Sequence, residues 1–560
     1  MTSSVSEAAG RPSGERLPGK IGALGIILVL IFVFQFSMLS YFNFTQLANH
    51  MGYDSSWVYL RSMLMWKEKA VTFHNWHEST NLQIDTHMLP VSLLYGLTGD
   101  IWLASGIGNT LMVILLLLFV WKILTRLKVK FSAKMVALNL VICPFLTNGF
   151  NVYNDIGYFS CVLSGAAHYC LRTLVSLMMI YEFLKIVQDR EMGFLPWIIW
   201  PLCMLCGSSS GVYLIMIILV PYLAYEVEAA AIRNDWKQLI RKESVFAYLC
   251  CASVMAGKVL GSLVLKYESS DSASTWTALT DLDANFSAVI RGFPKLLQVL
   301  PLTGKDYSPI LSKAGILRVF ALAVFAVILV SMAVAFWRAI RLPSDREGMY
   351  LFLANIALMN FLLLGLHNAS YGAILFEERY LILTFFAAIL MTALFLDSLE
   401  EKTVFSVLMA ISMTVSVLAV DAHSDYNYLR TTNKDWPMEE IQTLAESQDA
   451  GIVYVWGDDI TVIGRSLRVL DMDRVYKQIP DGGGYYRHHF GDYYTYDTNT
   501  EYTGTTLLVT PAGQNLVPDS VLAEYTLLAD NLPYTVFDSN EILLTGTLDV
   551  YVCDHNPNLW

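Results

Sequence analysis

The feature that most constrains this chain is a succession of long stretches without formal charge. Ile21 to Ser40 carries none, and a helix of that length crosses the ~30 Å hydrocarbon layer of a membrane. Further apolar segments follow at about 101–121, 134–150, 161–184, 194–207, 211–228, 244–265, 314–337, 348–366, 380–396 and 403–420. Only 15% of the residues are charged, against roughly a quarter in a soluble protein. The apolar solvent is therefore lipid, where a segment must satisfy its own backbone polar groups and so becomes a helix. The first run is too long for a signal-peptide core and no small-residue cleavage pattern follows it, which predicts a retained span.

Charge sets the orientation. Basic residues cluster in alternate connections: Lys122, Arg126, Lys128, Lys130 and Lys134; Arg233, Lys237, Arg241 and Lys242; Arg338, Arg341 and Arg346. Arg11, Arg16 and Lys20 add to them at the N-terminus. The positive-inside bias places all of these in the cytoplasm. About eleven spans then carry the chain from an inner N-terminus to an outer C-terminus. The expected organisation is a polytopic α-helical membrane module over 1–420 and an extracytoplasmic soluble α/β domain over 421–560. Two large loops, 43–100 and 266–313, face outward.

The net charge of −12 belongs to the tail, where Asp421, Asp425, Glu439, Glu440, Asp458, Asp459, Asp471, Asp473, Asp481 and Asp492 outnumber the nearby bases. No basic face of the kind nucleic acid requires is present. Seven cysteines lie in or beside apolar segments and only Cys553 lies in the tail, so the tail holds no internal disulfide. Cys203 and Cys206 form a C-x-x-C on a predicted helix; packing between helices explains it better than metal or redox chemistry. Within the tail, Gly451 to Trp456 and Thr506 to Thr510 read as strands, and Pro437 to Ser447 and Val521 to Asp530 as helices. Asp481-Gly482-Gly483-Gly484 reads as a turn. Tyr485, Tyr486, Tyr493, Tyr494 and Tyr496 with His488 and His489 read as a surface hairpin or a sugar-stacking cluster.

The outer loops hold the candidate chemistry. Trp57, Val58, Leu60, Leu64, Met65 and Trp66 form the apolar stripe of a helix lying in the interface, and Phe286, Val289, Ile290, Phe293, Leu296 and Leu297 repeat the pattern beside Arg291 and Lys295. Asp54, just beyond the first span, suits either a general base for a hydroxyl acceptor or the N-cap of the helix that follows. His74, Trp76, His77, Glu78, Asp85 and His87 crowd the same loop, without the fixed spacing of a known metal motif. His168 and Arg172 lie one turn apart in an apolar segment, where ionisable groups are functional candidates; pairing of Arg172 with Asp155 or with a backbone carbonyl is the structural alternative. Arg379, in Phe376-Glu377-Glu378-Arg379-Tyr380, has the planar donor fork that holds phosphate; otherwise it anchors a helix end against Glu377 or Glu378. Cys206 to Gly211 reads as a tight outer turn. Asn43-Phe44-Thr45, Asn285-Phe286-Ser287 and Asn368-Ala369-Ser370 are sequons.

With Asp54-Ser55, Trp76 and Asp85 in that order, and with Arg379-Tyr380 starting a late span, the chain resembles the GT-C superfamily of membrane glycosyltransferases. That group includes protein mannosyltransferases, oligosaccharyltransferases and bacterial aminoarabinose transferases, and the likeness is nearest to a bacterial branch. The chain departs from the mannosyltransferase pattern, because Ser55 stands where a second acid would follow Asp54, and it lacks the W-W-D-x-G motif of oligosaccharyltransferases. The resemblance implies inverting transfer of sugar from a polyprenyl-phosphate donor to a glycan, lipid or protein acceptor at the outer face of a bacterial inner membrane. Asp54 would be the base and Asp85 its helper. Arg379 and Tyr380 would bind the donor phosphate, assisted by Arg291 and Lys295, with His74, Trp76, His77, His87 and His168 around the acceptor or sugar. Metal-independent transfer and transfer with Mg2+ or Mn2+ at Asp54 and Asp85 both stay open. The alternatives are a transporter or flippase, for which no internal repeat speaks, and a non-catalytic envelope assembly protein.

Overall fold

The computed structural model describes residues 22–48, 51, 53–73, 77–78, 82–142, 158–165, 167–266, 268–269, 274–297, 299, 309–339, 345–369, 378–399, 437–483, 502–537, 543–557 and 559. In chain order the membrane part contains α1 (Ala23–Thr45), α2 (Tyr53–Glu68), β1 (His77–Glu78), α3 (Met88–Thr98), α4 (Ile101–Arg126), α5 (Phe131–Ile142), α6 (Cys170–Asp189) and α7 (Pro196–Ser210). It continues with α8 (Val220–Arg233), α9 (Lys242–Val264), β2 (Glu268–Ser269), β3 (Ser274–Trp276), α10 (Leu282–Leu296), α11 (Lys313–Ala339), α12 (Asp345–Leu366), β4 (His367–Ala369) and α13 (Ile382–Asp397). Among the described residues, seven helices are long and apolar enough to cross a membrane. Each overlaps one of the expected spans, most running a few residues past it. α5, α6 and α7 occupy three further expected spans; the expected span at 403–420 lies outside the described residues.

The helices sort by what they face. α1 exposes Ile26, Ile27, Leu30 and Val33, an apolar surface suited to lipid rather than water. α13 is its opposite, with all sixteen of its residues buried, and it packs against α5, α11 and α12. It is the axis of the bundle. The short turn Glu378–Leu381 leads directly into it, so a side chain on that turn is fixed by the most enclosed helix of the protein.

Both helices expected in the two large loops form, as α2 and α10. α3 is an additional helix within the first loop, closed by Gly99 in the left-handed conformation (φ 69°), which glycine adopts without a Cβ clash. α4 starts immediately afterwards, with the Asp100 carboxylate accepting from the Trp102 and Leu103 amides at 2.8 and 3.1 Å. The loop strands tie distant parts together: β1 pairs with β2 in parallel and β3 with β4 antiparallel. Two of the sequons are unusable as they stand. Asn43 is fully buried inside α1 and Asn285 inside α10, where its amide donates to the Leu364, Gly365 and His367 carbonyls.

The tail is an α/β domain, with α14 (Met438–Ser447), β5 (Ile452–Trp456), α15 (Thr461–Leu470), β6 (Val475–Ile479), β7 (Thr506–Pro511), α16 (Asp519–Leu522), β8 (Thr526–Phe537) and β9 (Leu543–Cys553). The sheet order is β6-β5-β7-β9-β8. β5 is parallel to β6 and β7, while β9 is antiparallel to β7 and β8. The helix expected over Val521 to Asp530 is corrected: helix ends at Leu522 and the chain enters β8 at Thr526. Pairing along β9 decides this, because a short apolar run fits either period until a partner strand is present. The aromatic cluster from Tyr485 to Tyr496 lies outside the described residues.

Tail and membrane part meet on α2. α15 packs across it, with the Ser56 and Ser466 hydroxyls 3.2 Å apart and Lys67 3.1 Å from Asp473. The buried face of α2 includes Trp57, Val58, Tyr59, Met63 and Leu64. The helix is thus held by protein along its length, not simply laid on lipid.

α7 and α9 approach closely enough to exclude side chains at their contact. A Cβ on Gly207 would strike the Val254 carbonyl, one on Gly257 the Met204 carbonyl, and one on Gly261 the Ser208 backbone. Small residues allow such contact in membrane bundles. Gly257→Val should therefore lower thermal stability in detergent by about 1–3 kcal/mol through overpacking; an unchanged melting temperature would mean that α7 and α9 do not touch at this level.

Candidate active site

Four segments converge at the start of α2. The helix itself supplies Asp54. The turn before α13 supplies Arg379, whose Nη1 donates to Asp54 Oδ2 at 2.9 Å. The third segment carries His168, with Nε2 at 3.3 Å from the same oxygen. It is held by a tight turn in which Gly165 and Ala167 have φ of 58° and 43°; the Ala167 amide donates to Ser160 O at 2.7 Å. A left-handed alanine is uncommon and costs energy. Here it reverses the chain so that the imidazole meets both the carboxylate and the Trp57 ring, 6.0 Å away between centroids. The fourth segment, before α3, supplies His87.

Asp54, Arg379 and His168 have side-chain exposures of 16%, 19% and 5%. Burial works to raise the proton affinity of Asp54, but His168 and Arg379 outweigh it and hold the carboxyl well below the usual carboxylate range. The residue is an anion at any ordinary pH. Of the two acidic neighbours expected to anchor Arg379, Glu377 lies outside the described residues. Glu378 instead takes Lys295 from α10, at 2.8 Å. The turn's own cation, Arg379, and Lys295 from α10 therefore lie close to one another along the chain of contacts through Glu378. Tyr380 is partly buried, 6.4 Å from Tyr169 between ring centroids.

Asp85 is fully buried and does not act beside Asp54 as a second free carboxylate. Its Oδ2 accepts from Arg172 Nε at 2.7 Å and its Oδ1 from Arg172 Nη2 at 3.0 Å, a bidentate pair. Ser209 and Ser210 donate to the same two oxygens at 2.6 Å each. The Arg172 guanidinium also lies over Tyr169 and Tyr213, 5.0 and 5.4 Å from their centroids. Of the structural partners expected here, Asp155 lies outside the described residues, and the guanidinium is taken by Asp85 rather than by a backbone carbonyl. The reason is electrostatic: a guanidinium this deep requires an equally buried anion, and Asp85 is at hand. The segment Cys206 to Gly211 is corrected in part as well, since α7 runs through Ser210 and stops at Gly211 (φ 63°). Its serines, unremarkable in sequence, complete the Asp85 site.

The remaining expected residues divide. His87 is fully buried, and neither ring nitrogen has a well-formed hydrogen bond among the described residues. Burial and then the charge of His168 push it down to about 3, opposed only by the Ala167 backbone; it is a neutral imidazole. Arg291 is exposed on α10. His74 and Trp76 lie outside the described residues, as does the His77 side chain, although the His77 backbone pairs with Glu268 in β1 and β2. Neither Asp54 nor Asp85 belongs to a cluster of three metal-ligating side chains among the described residues, and the guanidinium partners already balance both charges.

With this geometry in view, similarity to solved structures becomes informative. The crystal structure of ArnT from Cupriavidus metallidurans bound to undecaprenyl phosphate aligns over 95% of this chain and 98% of that one, with a TM-score of 0.52 at 11% identity. The apo form of the same protein aligns over 94% and 97%, with a TM-score of 0.40 at 11% identity. No protein-family profile matches the chain, and no curated protein sequence does. At such identity the likeness concerns the fold alone, that of a polytopic helical membrane protein with a small C-terminal sheet domain.

Two measurements test the electrostatics. Asp85→Leu should leave Arg172 buried and unpaired and cost about 3–5 kcal/mol, most of which Asp85→Leu with Arg172→Met should restore; additive losses in thermal melts would contradict a closed pair. For His87, the unfolded chain takes up a proton near pH 6.5 while the folded one resists until about 3. Its stabilisation is complete above pH 6.5 and should decline below it, by up to about 1.4 kcal/mol per pH unit. His87→Gln should flatten that part of the stability–pH curve.

Proposed function

We propose that the chain is an inverting membrane glycosyltransferase that moves a sugar from a polyprenyl-phosphate donor to a hydroxyl acceptor at the outer membrane face. The observation that carries this reading is the contact of Asp54 with Arg379, which are 325 positions apart in sequence. An anion able to take a proton and a cation able to hold a phosphate occupy one enclosed place. The ArnT structure that shares the fold is bound to undecaprenyl phosphate, a ligand of the same chemical class as the proposed donor.

The chemistry follows from the ion pair. In the resting protein Asp54 is a weak base, because Arg379 and His168 hold its proton affinity down. A donor phosphate competes for Arg379. When the guanidinium turns to the phosphate, Asp54 loses a neutralising partner while remaining desolvated, and its affinity for a proton rises. The acceptor hydroxyl then loses its proton to Asp54 as its oxygen attacks the anomeric carbon. The bond from that carbon to the phosphate oxygen breaks, and the electron pair leaves with the phosphate. Arg379 stabilises this developing charge, with Lys295 as a second cation once it exchanges Glu378 for the phosphate. Tyr169 and Tyr380 form an aromatic wall beside the turn, suited to the apolar face of a sugar. His168 orients the Asp54 carboxylate. Asp85 supports the site by fixing Arg172 and, through Ser209 and Ser210, the end of α7. No step requires a metal ion.

The test is transfer from polyprenyl-phosphate sugars by purified protein. Asp54→Asn should reduce turnover about 10²–10⁴-fold while leaving the melting temperature within a few degrees. Arg379→Lys, which keeps charge but loses the planar fork, should weaken donor use more than it weakens folding. Full activity of the Asp54→Asn protein would remove the assignment of the base.

A further inference from the structure

A second chemical cluster lies at the end of the tail sheet, on elements distinct from those that form the Asp54 site. β9 closes at Cys553, opposite Thr506 of β7, with the side chain buried at the end of this interior strand. Asp554 and His555 follow immediately. Cys553 Sγ is 3.2 Å from His555 Nδ1, and Asp554 Oδ1 is 2.9 Å from that nitrogen. One ligating atom from each of the three residues lies within 4.8 Å of the others. Donors around a tetrahedral zinc stand roughly 3–4 Å apart, so a small adjustment brings all three onto one ion.

Glu524, after α16, gives the cluster its direction. Its Oε2 lies 3.3 Å from His555 Nε2, on the far side of the ring. A carboxylate there accepts a hydrogen bond from Nε2–H, which keeps the proton on Nε2 and leaves Nδ1 with its lone pair aimed at the thiol and at Asp554. Metal-binding histidines are oriented by just such a partner. The loop is also pinned on both sides. Thr506 donates to the His555 carbonyl at 3.1 Å and meets the Tyr525 hydroxyl at 3.0 Å, while Tyr454 donates to Asn556 Oδ1 at 2.7 Å. Hard cations such as Mg2+ or Ca2+ want oxygen donors. A thiolate, an imidazole nitrogen and one carboxylate suit zinc, with a fourth position left for water.

We propose that Cys553, Asp554 and His555 form a zinc-type site in the tail domain, oriented by Glu524, in which the ion replaces the thiol proton and that proton leaves to solvent. Bound there, zinc fixes the end of β9 and, through the His555–Glu524 contact, its link to the turn after α16, and so stabilises the tail independently of the Asp54 site. The probe is Co2+, then Zn2+, added to full-length chelator-treated protein in detergent. One equivalent of Co2+ should bind with a thiolate-to-metal charge-transfer band, and Zn2+ should displace it and raise the melting temperature of the tail. Cys553→Ser should abolish the band. His555→Gln, at a half-exposed position that folding tolerates, should weaken binding strongly. Glu524→Gln should weaken it about 10–100-fold while keeping the band. Absence of the band in the unaltered protein, or its persistence in Cys553→Ser, would overturn the site and mark the metal as an adventitious ion only. Unaltered affinity in Glu524→Gln would overturn the orienting role of that residue.

Discussion

An ion pair taken largely out of water must be made by partners that the fold itself delivers, and Asp54 with Arg379 is such a pair. Each charge keeps some contact with solvent and is stabilised by the other. Asp54 depends on α2, Arg379 on the turn into α13, and the supporting His168 on the strained turn before α6. The three are far apart in sequence and meet only when the bundle has closed. Because α13 is buried throughout, the cationic side of the pair is rigidly founded. The anionic side sits on a helix clamped between the membrane bundle and α15 of the tail. The tail thus touches α2 at Ser56, two residues from Asp54.

The second buried pair serves the first. Asp85 and Arg172 make two charge-assisted hydrogen bonds with each other, and the two serines at the end of α7 satisfy the remaining acceptor capacity. Such complete satisfaction makes the pair a structural joint between the first loop, α6 and α7. The tyrosines stacked on Arg172 carry the joint outward to Tyr380, so the aromatic wall beside Arg379 has a fixed backing.

Much of the fold is legible in the sequence because lipid demands long uncharged helices, and their periods and lengths need no partner to be read. α2 and α10 were readable from apolar stripes, and β5 and β7 from short β-branched runs between turns. What could not be read depended on pairing across the chain. β8 looks helical until β9 lies beside it. Asp54 and Arg379 each stood out, one as an early loop carboxylate and the other as a fork at a helix start, but their contact spans 325 positions. Arg172 was visible as a charge in an apolar segment. Its partner was not, because burial forces some anion to be present without saying which. Ser209 and Ser210 gave no signal beyond a turn-like composition, and Glu378 none that pointed to Lys295.

The central claim is competition: the Asp54 carboxylate and a lipid phosphate want the same guanidinium. Direct binding of a polyprenyl phosphate to purified protein tests this without any knowledge of the sugar or acceptor. The account predicts that Asp54→Asn binds the phosphate more tightly than the unaltered protein, and that this gain disappears when Arg379→Met is also present. Equal or weaker binding by Asp54→Asn, or a gain that survives Arg379→Met, would contradict it.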